Sequence, residues 1–183
     1  MHDGLSVQRA IYVITGVMAS GKSTVAEALA KRLDKCVHLR GDLFRRMIVT
    51  GREEMRENPS KEALTQLDMR YSIAAMVAIE YYKHGFNVVV QDNYLGKKLL
   101  FFAELLKPYP TFVIVLNPDI RSIAQRERER AKQGYVGFTV ESLYQAFIEE
   151  TPRIGLWLDT THMSVGDTVD EILRRADREA TYR

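Results

Sequence analysis

The sequence has few of the features that mark secreted, membrane-spanning or nucleic-acid-coating proteins. It contains a single cysteine, Cys36, so no disulfide can form within the chain, which suits the reducing cytoplasm where we expect the protein to act. Residues 1–9 contain no apolar segment typical of a secretory signal, and no apolar run approaches the ~20 residues that a membrane-spanning helix needs. The formal net charge is only +2, too small to predict nucleic acid as a partner. These absences indicate a soluble globular protein.

The length and the hydrophobic pattern predict one α/β domain. The chain has 183 residues, which suits a single domain over 1–183 with a core of its own. Short apolar runs alternate with helix-like runs, the pattern of a parallel sheet flanked by helices. The predicted strands cover residues 10–15, 36–39, 87–91, 111–116 and 154–158, and the shorter predicted helices cover residues 22–33, 43–49, 98–107 and 140–150.

Local signals place the ends of three further helices. Ser60 can cap a long helix that runs to about residue 84, because its apolar residues recur every three or four positions. Asn117 and Pro118 predict a helix that has proline at its first position. Residues 168–171, TVDE, match a capping box and predict a last helix that runs to about residue 179.

The strongest signal is a phosphate-binding loop at residues 16–23, GVMASGKS, which matches the pattern G-x-x-x-x-G-K-[ST] in full. Glycines let backbone N–H groups wrap a phosphate, and the following helix start adds unpaired N–H groups and a positive dipole end. The lysine supplies a cation for the β- and γ-phosphates, and the serine hydroxyl binds Mg²⁺. We therefore predict a nucleotide site built from residues of this loop and the helix start: Gly16, Ala19, Ser20, Gly21, Lys22, Ser23 and Thr24.

The rest of the chain favours a kinase over other P-loop proteins. The fourth strand ends in Asn117-Pro118-Asp119, which lacks the lysine of a guanine-binding Asn-Lys-x-Asp motif. Motors and AAA-type ATPases are usually larger. The arginine-rich residues 126–130 are typical of mobile segments that close over phosphates in phosphoryl-transfer enzymes.

Three segments beyond the loop resemble the chloramphenicol phosphotransferase-like family of small P-loop kinases. They are Arg40-Gly41-Asp42-Leu43, residues 88–96 (VVVQDNYLG) and residues 158–162 (LDTTH), and the resemblance runs from the glycine loop to the final strand. It implies a three-layer α/β fold with a five-stranded parallel sheet, like nucleoside and shikimate kinases, and transfer of the ATP γ-phosphate to a hydroxyl. Residues 47–72 depart from the chloramphenicol enzyme, so shikimate-, gluconate- and adenylylsulfate-kinase-like activities stay open.

Two aspartates after strands are the candidates for chemistry at the acceptor. Asp42 is our predicted general base, as is the corresponding aspartate of the family, because a carboxylate there can orient the acceptor hydroxyl and take its proton. The alternative is that Asp42 merely caps the helix that follows. Asp92 ends the valine-rich third strand and is predicted to hold Mg²⁺ or to position the acceptor, with a turn-forming aspartate as the alternative.

The remaining site predictions concern the acceptor and a lid. Arg45, Asn93 and Tyr94 are candidate acceptor contacts, and Arg40 and Arg46 could also recognise an anionic acceptor or simply face solvent. We expect a lid around residues 126–137, in which Arg126 binds the nucleotide and Arg130 stabilises the transferred phosphoryl group. A solvated helix with ion pairs is the alternative for these arginines. Thr160, after the last strand, is a candidate nucleotide contact.

These observations predict an ATP-dependent phosphotransferase that uses Mg²⁺ and acts on a small-molecule hydroxyl. An antibiotic, sugar, nucleoside or sulfated nucleotide would each fit as the acceptor. One rival is a polynucleotide or nucleoside-type kinase, in which Arg45, Arg46, Arg52 and Arg56 would line a groove. The other is a nucleotide-binding regulator without acceptor chemistry. The sequence determines neither the acceptor nor the oligomeric state.

Overall fold

A five-stranded sheet forms the centre of the protein in the computed structural model, which describes residues 8–129 and 137–183. Its order is β2-β3-β1-β4-β5, and every neighbouring pair is parallel. The strands are β1 Ile11–Thr15, β2 Cys36–Arg40, β3 Asn87–Gln91, β4 Thr111–Leu116 and β5 Leu156–Leu158. The predicted α/β class with a five-stranded parallel sheet is confirmed.

Helices cover both faces of this sheet. Their bounds are α1 Lys22–Arg32, α2 Asp42–Arg46, α3 Lys61–Lys83, α4 Lys97–Leu106, α5 Ile120–Glu129, α6 Val140–Glu150 and α7 Val165–Arg175, followed by a π-helical turn Ala176–Ala180. One core layer joins the sheet to α3, α4 and α6, and a second joins it to α1 and α7. Within the described ranges, no helix is long and apolar enough to cross a membrane.

The central strands are apolar on both faces because each face meets a helical layer. Every residue of β1, β3 and β4 is buried, and β3 consists largely of the valine run 88–90. Continuous apolar runs of this kind are typical of parallel strands covered on two sides. The core therefore fixes the strand ends, and the polar residues that follow them gather at one edge of the sheet.

Two predicted helix starts are wrong. Helix α5 begins at Ile120 rather than at Pro118, because the Oδ1 of Asp119 accepts a hydrogen bond of 2.7 Å from the backbone N–H of Ser122 and so caps the helix. Helix α7 begins at Val165, since Ser164 and Asp167 form the capping box and place Thr168 inside the helix. The Ser60 cap of α3 is confirmed, because its side chain accepts from the N–H of Ala63.

Candidate functional site

The phosphate loop lies between the buried strand β1 and helix α1, as the motif predicts. Gly16 has φ +149°, and a Cβ placed on it would lie 2.5 Å from the carbonyl oxygen of Leu116 and 2.7 Å from Ser20 Oγ. No side chain fits there, so the chain can turn tightly under β4. Gly21 is the N-cap of α1 and has no side chain to bond the first N–H groups of the helix, which leaves them for a phosphate.

Cationic side chains lie along this loop. Lys22 is buried, and its Nζ donates a hydrogen bond of 2.7 Å to the carbonyl of Val17. The Nη1 of Arg126 lies 3.4 Å from the carbonyl oxygen of Ser20. Ala19 has φ +63°, and the Oγ of Ser20 is buried without a hydrogen-bond partner in the described residues. The predicted loop residues and Arg126 therefore meet in a site that suits a phosphate chain, and Thr24 is exposed beside them at the start of α1.

Gln91 contacts the predicted magnesium ligand, and the sequence reasoning missed it. Ser23 is exposed at the start of α1, and the Nε2 of Gln91 donates to its Oγ over 3.3 Å. Gln91 is 5% exposed at the end of β3, directly before Asp92. A buried amide that donates to the serine oxygen occupies one of its lone pairs, orients the hydroxyl and leaves the second lone pair for a cation. The available signal was a glutamine at the end of a valine run, where an apolar residue would be expected.

Close packing at the end of β2 brings Asp42 towards β3. The N–H of Gly41 bonds the carbonyl of Gln91 over 2.9 Å, and a Cβ on Gly41 would lie 2.5 Å from Asp92 Oδ2. Only glycine permits this approach. The carboxylate of Asp42 accepts a hydrogen bond of 2.6 Å from Arg46. Because the N-cap of α2 is Gly41, the alternative that Asp42 caps this helix is wrong.

Both oxygens of the Asp92 carboxylate lie close to other groups of the protein. Its side chain is 6% exposed, its Oδ1 accepts a hydrogen bond of 2.7 Å from the N–H of Asn93, and its Oδ2 lies 3.4 Å from Arg70 Nη2. The Oδ2 atom is buried and makes no hydrogen bond with the described residues. Of the two predicted Mg²⁺ ligands, Ser23 is therefore exposed, whereas Asp92 is buried beside Arg70.

Arg70 is a second functional candidate that the sequence reasoning missed. Its side chain is 12% exposed, its guanidinium lies 5.3 Å from the ring centroid of Tyr71, and its Nε is buried without a hydrogen-bond partner in the described residues. Burial lowers the pKa of Arg70, but the charge of Asp92 and its aromatic neighbours outweigh burial and leave the pKa raised. Arg70 is therefore a fixed cation. The signal was an arginine on the apolar stripe of α3, three residues after Leu67 and four before Ala74.

Two predicted acceptor contacts have other partners. Tyr94 is fully buried and stacks on Phe102 with ring centroids 4.0 Å apart, so an acceptor contact by its side chain is wrong. Burial raises the pKa of Tyr94 well above its usual value, which keeps it neutral. Arg45 forms hydrogen bonds of 2.5 Å with both oxygens of Glu54. Asn93 is half-buried, and its backbone carbonyl accepts a hydrogen bond from Tyr71.

The predicted nucleotide contact after β5 lies beside the end of β4. Thr160 is buried, and its Oγ1 has no hydrogen-bond partner within 8–129 and 137–183. The next residue, Thr161, accepts a hydrogen bond of 2.8 Å from the N–H of Asp119, which links the two strand ends. Arg130 and most of the predicted lid at 126–137 lie outside the described residues.

The fold and the phosphate loop define a P-loop kinase-like protein. Residues 11–146 match a family model described as an AAA domain, and the chain belongs to this family. The size argument against an AAA-type protein is therefore wrong at the level of the family. No curated protein sequence matches the chain.

Solved structures of several small kinases share the fold. The tunicamycin resistance protein of Deinococcus radiodurans superposes with a TM-score of 0.67 at 14% identity, over 96% of this chain and 99% of that chain. A gluconokinase from Sinorhizobium meliloti gives 0.61 at 19% identity, over 93% of both chains. The shikimate kinase of Bacteroides thetaiotaomicron gives 0.58 at 16% identity, over 91% and 95%. At these identities the likeness establishes the fold.

Proposed function

We propose that the protein transfers the γ-phosphate of ATP to a hydroxyl of a small molecule. Two features of the same sheet edge carry this proposal. One is a complete phosphate loop, which Arg126 contacts at the carbonyl oxygen of Ser20, and the other is the carboxylate of Asp42 just after β2. Parallel strands bring both groups to one edge of the sheet. A nucleotide and an acceptor bound there would meet end to end.

The roles follow from the positions of the side chains. Lys22 and the loop N–H groups would bind the β- and γ-phosphates, and Ser23, held by Gln91, would bind Mg²⁺. The metal ion supplies charge neutralisation on the phosphates. Asp42 would orient the acceptor hydroxyl and take its proton while the new bond to phosphorus forms and the bond to the β–γ bridging oxygen breaks. Arg126 would stabilise the phosphate charge.

We also propose that the chain is a member of the chloramphenicol phosphotransferase-like family and acts in the cytoplasm. The likeness of residues 88–96 and 158–162 to the chloramphenicol phosphotransferase-like family supports a single kinase domain over 1–183. The tunicamycin resistance protein among the similar folds is compatible with an antibiotic-like acceptor. We place the activity in the cytoplasm, where ATP is available.

The described contacts favour a small acceptor over a nucleic acid. Three of the four arginines predicted for a nucleic-acid groove are paired with carboxylates: Arg46 with Asp42, and Arg45 and Arg52 with Glu54. Paired cations release few counterions and therefore add little to phosphate-backbone binding. The groove of a polynucleotide kinase is correspondingly less well supported.

Phosphate transfer to a panel of hydroxyl compounds, followed by product mass, tests the proposal. We expect ATP-dependent gain of one phosphate on at least one compound, and loss of that activity in Lys22→Met. The matched control is Lys83→Met, which removes an exposed lysine from the C-terminal end of α3. Binding of magnesium nucleotide without any phosphorylated product would instead support a nucleotide-binding regulator.

A further inference from the structure

The acceptor side of the cleft contains arginines that are each matched by a carboxylate. We propose that the acceptor is an uncharged polyhydroxy compound, and that Arg70 selects it by contacting a hydroxyl next to the one that is phosphorylated. This inference rests on the proposed phosphotransfer. It adds the chemical class of the acceptor and the residue that recognises it.

Arg70 and Asp42 are neighbours through Asp92. The Nη2 of Arg70 lies 3.4 Å from Asp92 Oδ2, and the same oxygen would lie 2.5 Å from a Cβ on Gly41, the residue before Asp42. The guanidinium of Arg70 and the backbone just before Asp42 therefore both approach one buried carboxylate. A donor and an acceptor of hydrogen bonds placed so close suit two adjacent hydroxyls, one donating its proton to Asp42 and one accepting from Arg70.

The guanidinium of Arg70 is poorly placed to bind a carboxylate with two parallel bonds. Its Nε is buried, and its Nη2 is directed at Asp92. A two-pronged bond to a carboxylate needs two adjacent N–H groups on one edge of the guanidinium. Because Nε is buried and Nη2 contacts Asp92, the guanidinium of Arg70 can offer a single N–H donor to a hydroxyl oxygen. The contact with Asp92 fixes the position of that donor.

The wall beside Arg70 also has little free positive charge. The loop before α3 is held on this helix by Gln66, whose Oε1 accepts from the N–H of Glu53 over 2.9 Å and whose Nε2 donates to the carbonyl of Gly51 over 2.8 Å. Gln66 precedes Arg70 by four residues and so lies on the same face of α3. Next to Glu53, Glu54 is paired with Arg45 at 2.5 Å and with Arg52 at 3.3 Å.

Two other arginines of this region have different neighbours. Arg40 lies on the nucleotide side, where it lines a groove together with Ser23, Thr24, Glu27 and His38. Arg56 lies against Gly137, whose added Cβ would be 3.3 Å from its Cγ. In the described residues each arginine of this wall contacts a carboxylate: Arg46 contacts Asp42, Arg70 contacts Asp92, and Arg45 and Arg52 share Glu54. An anionic acceptor would therefore have to compete with these carboxylates for the arginines, whereas hydroxyls can both donate and accept.

A panel of matched acceptors tests this class. Hexoses, pentoses, cyclitols and ribonucleosides are each compared with the corresponding acid or phosphate ester, with ATP and Mg²⁺ at saturation, and kcat/KM is measured from ADP release. We expect the neutral member of the productive pair to exceed its anionic counterpart at least about tenfold, the effect of one lost charge-assisted hydrogen bond. Preference for the anionic member would overturn the inference and leave phosphotransfer standing.

Two variants and one control link the preference to the arginines. Arg70→Lys keeps the charge but loses the guanidinium, whose separate nitrogens would contact Asp92 and the acceptor, so the acceptor KM should rise about 10- to 100-fold while the ATP KM is unchanged. The preference for a diol over its singly deoxygenated analogue should disappear as well, which a purely structural role would not produce. Glu54→Gln frees Arg45 and Arg52 and should raise the relative kcat/KM of the anionic member about tenfold.

The control Arg32→Gln removes an exposed arginine on α1 that pairs only with Asp170 among the described residues. It should change neither the preference for a diol over its deoxygenated analogue nor the preference for a neutral over an anionic acceptor. An unchanged acceptor KM in Arg70→Lys would remove Arg70 as the selecting residue. Calorimetry of nucleotide binding, measured separately, distinguishes a failure of the acceptor class from a failure of the proposed phosphotransfer. Intact binding with no turnover of any panel member contradicts both the acceptor class and the transfer itself, and absent binding contradicts the proposed function at its first step.

Discussion

At the scale of single residues, the carboxylate of Asp42 does not cap the helix that begins there. Its carboxylate bonds Arg46 and gives no cap to α2, so removing its charge should leave the helix start intact. We expect Asp42→Asn to lower kcat by about 10²- to 10⁴-fold, the usual contribution of a general base, with the affinity for ATP unchanged. Steady-state kinetics and calorimetry measure the two quantities.

Asp34→Asn provides the control for this experiment, because Asp34 is an exposed carboxylate before β2, at the edge of the sheet opposite the strand ends that form the site. A kcat in Asp42→Asn within twofold of the parent would eliminate Asp42 as the base. A parallel loss of nucleotide affinity would indicate that Asp42 acts on the metal or the phosphates instead.

Gln91 gives a second prediction at this scale. Gln91→Leu removes the amide that donates to Ser23 Oγ and replaces it with an apolar side chain of similar size. We expect the Mg²⁺ concentration at half-maximal activity to rise about tenfold, as for the loss of other groups that orient a metal ligand. Gln145→Leu, on the exposed face of α6, is the control. Identical magnesium titrations of Gln91→Leu and the parent would refute the orienting role.

At the scale of elements, the end of β2 can approach the end of β3 because Gly41 has no side chain. Gly41 has φ −59°, which any residue adopts, so the effect of a substitution there is steric. In Gly41→Ala the new Cβ would lie 2.5 Å from Asp92 Oδ2 and push apart the ends of β2 and β3. We expect a loss of about 1–3 kcal/mol in the free energy of unfolding, together with reduced kcat, measured by urea titration and kinetics.

Gly166→Ala is the matched control for this pair of strands. Gly166 lies in the first turn of α7, and its added Cβ would meet its nearest neighbour, Ser164 Oγ, at 3.7 Å. Alanine is favoured over glycine in a helix by up to about 1 kcal/mol, so this variant should be neutral or more stable. Equal stability of the two alanine variants would contradict the close approach at Gly41.

Helix and strand boundaries show where sequence reasoning reaches its limit at this scale. The bounds of β3, β4 and α6 agree with the prediction because dense apolar runs or a local cap define them. The start of α7 was misplaced because Ser164–Asp167 and Thr168–Glu171 both satisfy the spacing of a capping box. Local chemistry was ambiguous there, and packing decided which serine or threonine became the cap.

At the scale of the whole molecule, nucleotide binding should stabilise the fold. At a magnesium nucleotide concentration 100 times Kd, the expected gain is about 2.7 kcal/mol. For a chain of this size that raises Tm by roughly 5–10 °C in a thermal scan. Lys22→Met should lose most of the increase in Tm, whereas the control Lys83→Met should keep it. An unchanged Tm in the parent protein would contradict a nucleotide site.

The whole site was only partly predictable from the sequence. The phosphate loop could be predicted because one contiguous segment contains all its chemistry, and Asp42 because it follows a strand and a glycine. Arg70 and Gln91 acquire their partners only through packing, since they contact residues 22 and 68 positions away. The aromatic at position 94 was misread as a binding residue because its burial depends on Phe102 and Tyr71, which the local pattern does not reveal.

The parallel order of the sheet has a practical consequence for engineering. Because all five strands run the same way, the connections that enter them lie at the edge opposite the phosphate loop, including the α1–β2 turn around Asp34 and the α3–β3 turn around His84. These exposed turns are suitable positions for fluorophores, affinity tags or surface immobilisation. A label there would leave the entrance for ligands unobstructed.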